Sequence, residues 1–393
     1  LFVRLNTGGV VLGGEELIFS LFKSAFPLAK DTVEKCAANF MAPSKLFGLF
    51  ARLAGASEEP SRLSRSVTLR EFKKEIRPTD APLRKALNEL VREDETGTGC
   101  EAAQLMADAK LILCGNQTSD TDFCLPEAVA TRTINESPDV FLALLYWLRC
   151  NKQRLGEQSN LLGKEEHRRL LGYFTLLSWF QPGNARAKQE ALRNWVAAAG
   201  DDVAGRLWSA DCLQSFFARR DLVVPVFPTP NQLASYLQCE QPHKIRHGYH
   251  YNYESTSGAI HQEFWKQYTW IPNADNETDE LYIQRLEENF KYFLNSLRWC
   301  RTMLLFAQRA YLRKRFESFG QWEVTLKDTN CPWDWDHIYP SAYRLWYVNE
   351  VYKDWHNTIG NMRVEGLSEN RRDSSNAPTD KLALEFTDGT EAW

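Results

Sequence analysis

The sequence predicts a mainly α-helical protein, with an α/β fragment at its start and a two-strand, one-helix module near its end. Three observations carry this. Apolar residues recur at helical spacing across residues 30–220, where strand signals are few. Leu1 to Leu5 alternate like a strand and run into a glycine-rich turn and then a helix. Far downstream, Asp334-Trp335-Asp336-His337-Ile338-Tyr339-Pro340 closes a short aromatic run, and a second strand pattern and a helix start follow it.

At 393 residues the chain has room for two or three domains with their own cores. Hydrophobic residues make up 44% and charged residues 25%, the balance of a globular protein, and 13 Trp with 22 Phe predict a well-filled interior. Net charge is −4, so any nucleic-acid binding must use local basic patches instead of a global positive field. Nine cysteines, an odd number with no C-x-x-C pair, argue against a disulfide framework and a zinc ribbon. They fit a reducing, cytoplasmic setting. The longest uncharged membrane-like run, Val140 to Leu148, is far short of the ~20 residues a spanning helix needs, and no signal-peptide pattern opens the chain. No membrane partner is expected.

The expected domains are residues 1–28, a helical domain at 29–220, a connector at 221–277, and a long helix with the C-terminal module at 278–393. In the first, the strand Leu1–Leu5 is followed by Asn6-Thr7-Gly8-Gly9, a turn signal, and after Gly13-Gly14 by a helix over Glu15–Phe26. A glycine-rich turn into a helix can offer backbone N–H groups to a phosphate. The segment lacks the Lys-Ser/Thr of a P-loop and the spacing of a dinucleotide fingerprint, and a tight turn before an ordinary helix is the favoured reading. Because residue 1 is Leu and the strand pattern is already under way, the chain is expected to begin inside a domain.

Predicted helices in the second domain are Asp31–Met41, Ser44–Ala54, Thr68–Ile76, Pro82–Glu93, Cys100–Leu113, Ser137–Cys150, Lys164–Trp179, Ala185–Ala198 and Asp202–Arg219. Asp31, Ser44, Thr68 and Ser137 are candidate caps, with Pro138 at a first helical position. Arg62, Arg65, Arg70, Lys73, Lys74 and Arg77 stand against Glu71 and Glu75. This is either a solvated helix face or a phosphate-contacting one. The connector opens with a proline-rich stretch, Leu222 to Pro230. It then concentrates His243, His247 and His250 with Tyr249, Tyr251 and Tyr253. That group reads as an ordinary loop, a loop that stacks on a partner, or a transition-metal site lacking a Cys or acidic ligand.

Thr278 to Phe316 reads as one long helix or two joined ones, capped by Thr278 and ending in Arg309, Arg313, Lys314 and Arg315. Cations at a helix C-terminus complement the macrodipole. The same residues could clamp a phosphate, because Asp336-His337 follows shortly. Strand one of the module carries Trp335, Asp336 and His337; strand two is Asn361-Met362-Arg363-Val364; the helix begins near Ser368 and carries Asn370. Phosphodiester hydrolysis needs an activated water, a neutralised phosphate and a stabilised leaving oxygen. A neutral imidazole can take the proton near pH 7. A hard cation such as Mg²⁺ prefers the oxygens of Asp and Asn.

His337, Asn361 and Asn370, 24 and then 9 residues apart, resemble the His-Asn-Asn order of one-metal HNH (ββα-metal) nucleases. That resemblance implies His337 as general base, with Asn361 bracing the loop and orienting it. It implies Asp336 and Asn370 as ligands of Mg²⁺ or another divalent cation, and DNA as the partner. Arg371 and Arg372, with Arg313, Lys314 and Arg315, would contact phosphate. Asp373 departs from the small and basic residues usual after the last Asn, which puts the phosphate role of that turn in question. His356, in the hairpin connection, reads as structural.

Asp-His-Ile-aromatic-Pro followed by Ile359-Gly360-Asn361-Met362 is similar in particular to the nuclease half of GmrSD-type modification-dependent restriction proteins. Phe2 to Gly9, with Leu12 and the helix after it, resembles the end of the ParB-like domain of that family, in the same chain order. The resemblance implies a truncated ParB-like remnant, with Asn6, Gly8 and Gly9 as residues of a nucleotide site. NTP would enter through the missing N-terminal portion, whose Asp-Gly-Gln-Gln-Arg hallmark this chain lacks. Restriction or antiviral defence would be the role, against modified or phage DNA. A non-catalytic nucleic-acid-binding or sensor protein with an inactive hairpin, and an RNase, are the rival readings.

Overall fold

The computed structural model describes residues 14–37, 40–57, 59–92, 100–115, 123–151, 162–181, 184–216, 277–282, 284, 300–315, 333–340, 358–373, 376–377 and 380. The opening strand and turn with Asn6, Gly8 and Gly9, the His/Tyr-rich stretch around His247, and His356 lie outside them. The chain divides into two compact units, residues 1–218 with 317–327, and residues 219–316 with 328–393.

The described part of the first unit is helical. Its helices are α1 (Gly14–Ala25), α2 (Pro27–Ala37), α3 (Pro43–Ala56), α4 (Pro82–Val91), α5 (Glu101–Cys114), α6 (Glu127–Glu136), α7 (Pro138–Cys150), α8 (Lys164–Trp179) and α9 (Ala185–Ala199). Between α3 and α4 lie a 3-10 turn, Pro60–Ser64, and a single α turn, Leu69–Glu71, that runs into a π turn, Phe72–Ile76. Proline starts several elements, where its missing N–H costs nothing. Thr68 and Glu71 form a reciprocal capping box, with the Glu71 N–H donating to Thr68 Oγ1 at 3.2 Å and the Thr68 N–H to Glu71 Oε2 at 2.8 Å.

Three local expectations need correction. Asp31 and Ser44 are not caps: α2 and α3 begin earlier, at Pro27 and Pro43, because a proline at the first turn fixes φ without needing a side-chain cap. Helix α6 is unanticipated. Its Thr and Asn residues are weak helix formers, and burial of Val129, Ala130 and Ile134 outweighs them. Asp202–Arg219 is not one helix; its described part forms the turns Val203–Arg206 and Ala210–Gln214. Asp202 caps the first through the Gly205 N–H (2.9 Å), and Ser209 starts the second through the Cys212 N–H (3.4 Å).

Helix α7 lies at the centre of this unit. Val140 to Leu148 are all buried, as an all-apolar helix must be. It packs against α3, α5, α6, α8 and α9. At its start Asp139 pairs with Arg52 of α3 at 2.7 Å, and at its end Arg149 donates to the Leu53 carbonyl at 3.0 Å. Phe22 stacks on Phe26 (4.9 Å) and lies tilted against Phe47 (4.3 Å), which locks α1 onto α3. In the basic run, Arg62 pairs with Glu75 at 2.5 Å and Arg65 with Glu59 at 3.4 Å, while Arg70, Lys73 and Lys74 face solvent.

In the second unit Thr278 caps a helical turn, its Oγ1 accepting from the Leu281 N–H at 3.4 Å. Helices α10 (Arg301–Ala307) and α11 (Arg309–Arg315) meet at Gln308. Strands β1 (Trp333–His337) and β2 (Met362–Gly366) pair antiparallel, with Trp333 opposite Gly366, Asp336 opposite Arg363 and His337 opposite Met362. Helix α12 (Leu367–Asp373) follows β2 without a linker. The Val364 N–H, on a strand edge, donates to Gln308 Oε1 at 2.8 Å, which ties β2 to the α10–α11 junction. Among the described residues no helix is long and apolar enough to cross a membrane.

Candidate functional site

Strand alternation gives the hairpin two unlike faces. Trp333, Trp335, His337, Met362 and Val364 share one parity; Asp334, Asp336, Arg363 and Glu365 share the other. The charged parity is largely interior: Asp336 and Arg363 are each 4% exposed and Glu365 is 6% exposed. Arg363 Nε donates to Asp336 Oδ2 at 3.0 Å, and its Nη2 lies 3.1 Å from Glu365 Oε2. Glu365 Oε1 accepts from the Tyr311 hydroxyl at 2.8 Å and from the Gly366 N–H at 3.1 Å. Burial pushes the Tyr311 phenol well above its usual range, and the Glu365 carboxylate adds to the shift, so Tyr311 remains a donor.

Asn361 stands at the entry to β2 and grips the turn after His337. Its Oδ1 accepts from the Tyr339 N–H at 2.8 Å, and its Nδ2 donates to the Tyr339 carbonyl at 3.1 Å. Its own carbonyl accepts from the Ile338 N–H at 2.9 Å. Three hydrogen bonds from one residue therefore fix the two residues following the histidine. His337 itself is partly buried and ends β1.

The two predicted metal ligands are handled differently. Asp336 is committed to Arg363. Asn370, on the first turns of α12, donates from Nδ2 to Asp334 Oδ2 at 2.9 Å. Asp334 is exposed, and its Oδ1 also accepts the Trp335 N–H at 2.8 Å. Among the predicted phosphate contacts, Arg315 forms an ion pair with Glu369 of α12, which joins the basic end of α11 to the helix that carries Asn370. Lys314, Arg371 and Arg372 are exposed, and Arg313 is partly buried. Asp373 ends α12.

Sequence reasoning did not single out Asp334, Arg363, Glu365, Tyr311 or Gln308. The signal for the first three was the period-two alternation of charge along both strands, Asp334/Asp336 and Arg363/Glu365, which marks one shared face. Tyr311 and Gln308 left no such signal, because their partners lie more than 50 positions away.

Mg²⁺ is held through one or two carboxylates, with water completing its shell, so the donor chemistry can be judged. No group of three or more His, Cys, Asp or Glu that could hold a metal is present among the described residues. A cation here would therefore rest on few protein oxygens. The exposed Asp334 carboxylate and the half-buried Asn370 amide are adjacent and fit that requirement with the amide oxygen turned toward the carboxylate; Asp336, buried against a guanidinium, does not. Comparison with protein-family models, with curated proteins and with solved structures finds no match to this chain.

Proposed function

We propose that the hairpin and α12 form an HNH-type site that hydrolyses phosphodiester bonds of DNA with a divalent cation. The observation that carries this reading is the Asn361 clamp: an antiparallel pair runs straight into a helix, and the middle Asn holds the backbone beside His337. In this mechanism His337, as the neutral imidazole, takes the proton of the attacking water. Asn361 keeps the turn at Ile338–Tyr339 rigid, and with it the position of the ring. Asn370 and an aspartate of β1 supply the oxygens for the cation. When bound, Mg²⁺ neutralises phosphate charge and stabilises the leaving oxygen. Lys314, Arg371 and Arg372 add local positive charge to a chain of net −4. The role in restriction of modified or phage DNA, and any use of NTP, follow from the resemblance to GmrSD-type proteins.

A second reading, a non-catalytic nucleic-acid-binding hairpin, is favoured by one observation: Asp336, the aspartate next to the histidine, is neutralised by Arg363. Nicking of supercoiled plasmid separates the two. With Mg²⁺ the protein should nick, and His337→Ala should slow nicking by about 100-fold or more without changing thermal unfolding. DNA binding without nicking would support the second reading, and undiminished cutting by His337→Ala would remove the histidine from the mechanism. A parallel assay on RNA tests the sugar preference.

A further inference from the structure

We infer that Asp334, and not Asp336, is the aspartate that joins Asn370 in holding the divalent cation; the inference rests on the nuclease reading above. Asp336 is enclosed, and its Oδ2 lies 3.0 Å from the Arg363 guanidinium. Recruiting it to a cation would bring two positive charges together in the interior and strip Arg363 of a partner, which low-dielectric surroundings penalise on both counts. Asp334 carries neither burden. It is exposed, and the groups that hydrogen-bond it, the Trp335 N–H and the Asn370 amide, are neutral.

Geometry points the same way. The Asn370 amide atom and Asp334 Oδ2 are 2.9 Å apart. Two oxygens on adjacent corners of a Mg²⁺ octahedron with bonds of 2.0–2.1 Å stand about 2.9 Å apart. Rotating the amide by half a turn puts its oxygen where the nitrogen now donates, with no movement of α12 or β1. The Trp335 N–H on Oδ1 fixes the carboxylate plane, so the second oxygen is pre-aimed at α12. Asp336 and Arg363 then serve as the register lock that brings Asp334 opposite α12, not as part of the cation's shell. The cation centre consequently lies one side-chain repeat further along β1 from His337 than the dipeptide Asp336-His337 implies.

The test uses the full chain with Mn²⁺ as probe, its free concentration read by electron paramagnetic resonance. Asp334→Asn and Asn370→Ala should each weaken Mn²⁺ binding by about tenfold or more, since ligand charge and count set the affinity of such sites. Neither should alter thermal unfolding in the absence of metal by more than a degree or so. Asp336→Asn should lower the unfolding temperature yet bind Mn²⁺ within about twofold of wild type. Loss of Mn²⁺ binding in Asp336→Asn with retention in Asp334→Asn would overturn the assignment and leave the nuclease reading standing. A wild-type chain that binds no Mn²⁺ but cuts DNA in a His337-dependent way overturns the assignment alone. Absence of both Mn²⁺ binding and cutting removes the assignment and the nuclease reading together. Mn²⁺ binding that depends on Asp334 and Asn370, in a chain that does not cut, upholds the cation site and rejects the nuclease.

Discussion

The helical unit and the hairpin unit solve burial in opposite ways. Around α7, nine consecutive residues from Val140 to Leu148 are buried and none is charged. Charge enters that interior sparingly, as Arg52 against Asp139. The hairpin, with two strands of five residues each, buries Asp336, Arg363 and Glu365 together. So short a ribbon removes little apolar surface from water and is marginal on its own. Its buried ions contribute little net stability after desolvation, but they discriminate strongly among arrangements. A one-residue slip would send Arg363 and Glu365 together to the face of Trp335 and leave Asp336 without a cation. The lesson is a division of labour: apolar burial sets the shape of the first unit, and charge pairing sets the register of the second. Register decides which residues of β1 meet α12.

The sharpest way to break that contrast is Arg363→Ala. It leaves two carboxylates uncompensated in the interior and should cost about 3–5 kcal/mol, read as lost hydrogen-exchange protection at residues 333–337 and 362–366. Replacing Asp336, Arg363 and Glu365 together by Leu, Met and Leu should restore most of that stability, because no charge remains to be solvated. A loss under about 1 kcal/mol for Arg363→Ala would mean the network does not hold the register.

The matching change in the first unit is Leu144→Ala at a site with no exposure, which should cost about 2–5 kcal/mol through lost transfer energy and the cavity left behind. Its apolar neighbours on α7 do not titrate, so the loss measured by calorimetry should stay constant from pH 5 to pH 8. A marked pH dependence would mean that charge, and not packing, governs that interior.

The same contrast explains what could be read from the chain. Helical periodicity exposed most of the first unit, with Lys164–Trp179 placed to the residue, since an amphipathic helix reports its burial through its own neighbours. Helix α6 escaped because its stability comes from tertiary burial that overrides weak propensity. In the second unit the strand–strand–helix order was legible from the residue pattern, and a bracing role for Asn361 only through the resemblance to HNH nucleases. The partner choice of each aspartate was not. Asp334 and Asp336 are two residues apart with the same parity, and only the pairing partner, Glu365 for one and Arg363 for the other, decides which is exposed and which enclosed. Cross-strand register over a separation of 27 residues is non-local information.

Asn361→Ala should sharpen the link between register and chemistry. It removes both side-chain hydrogen bonds to Tyr339 and should cost about 1–3 kcal/mol. Asn361→Asp keeps the acceptor for the Tyr339 N–H but loses the donor, and should fall between wild type and Asn361→Ala in both unfolding temperature and plasmid nicking. If nicking were unchanged in Asn361→Ala, the clamp would not be what positions His337.

The smallest effect is expected at Arg315, where the hairpin unit behaves like an ordinary surface. Burial pulls the Glu369 carboxyl up, but the Ser368 hydroxyl, its own backbone N–H and the Arg315 guanidinium outweigh that and hold it below the usual carboxylate range. A depressed carboxyl contributes stability above its unfolded pKa, near 4.3, and loses it as pH falls through the lower folded value. The Arg315 side chain is 46% exposed, so solvent screening keeps the pair under about 1 kcal/mol. Arg315→Ala should therefore lower the unfolding temperature slightly at pH 7, less at high salt, and not at all once Glu369 is protonated. Arg363→Ala should show its deficit at every salt concentration, because ions cannot screen a pair that water does not reach. Equal salt sensitivity in the two variants would mean that the Asp336–Arg363–Glu365 network is solvated, and the distinction between the two kinds of interior would fail at its most charged point.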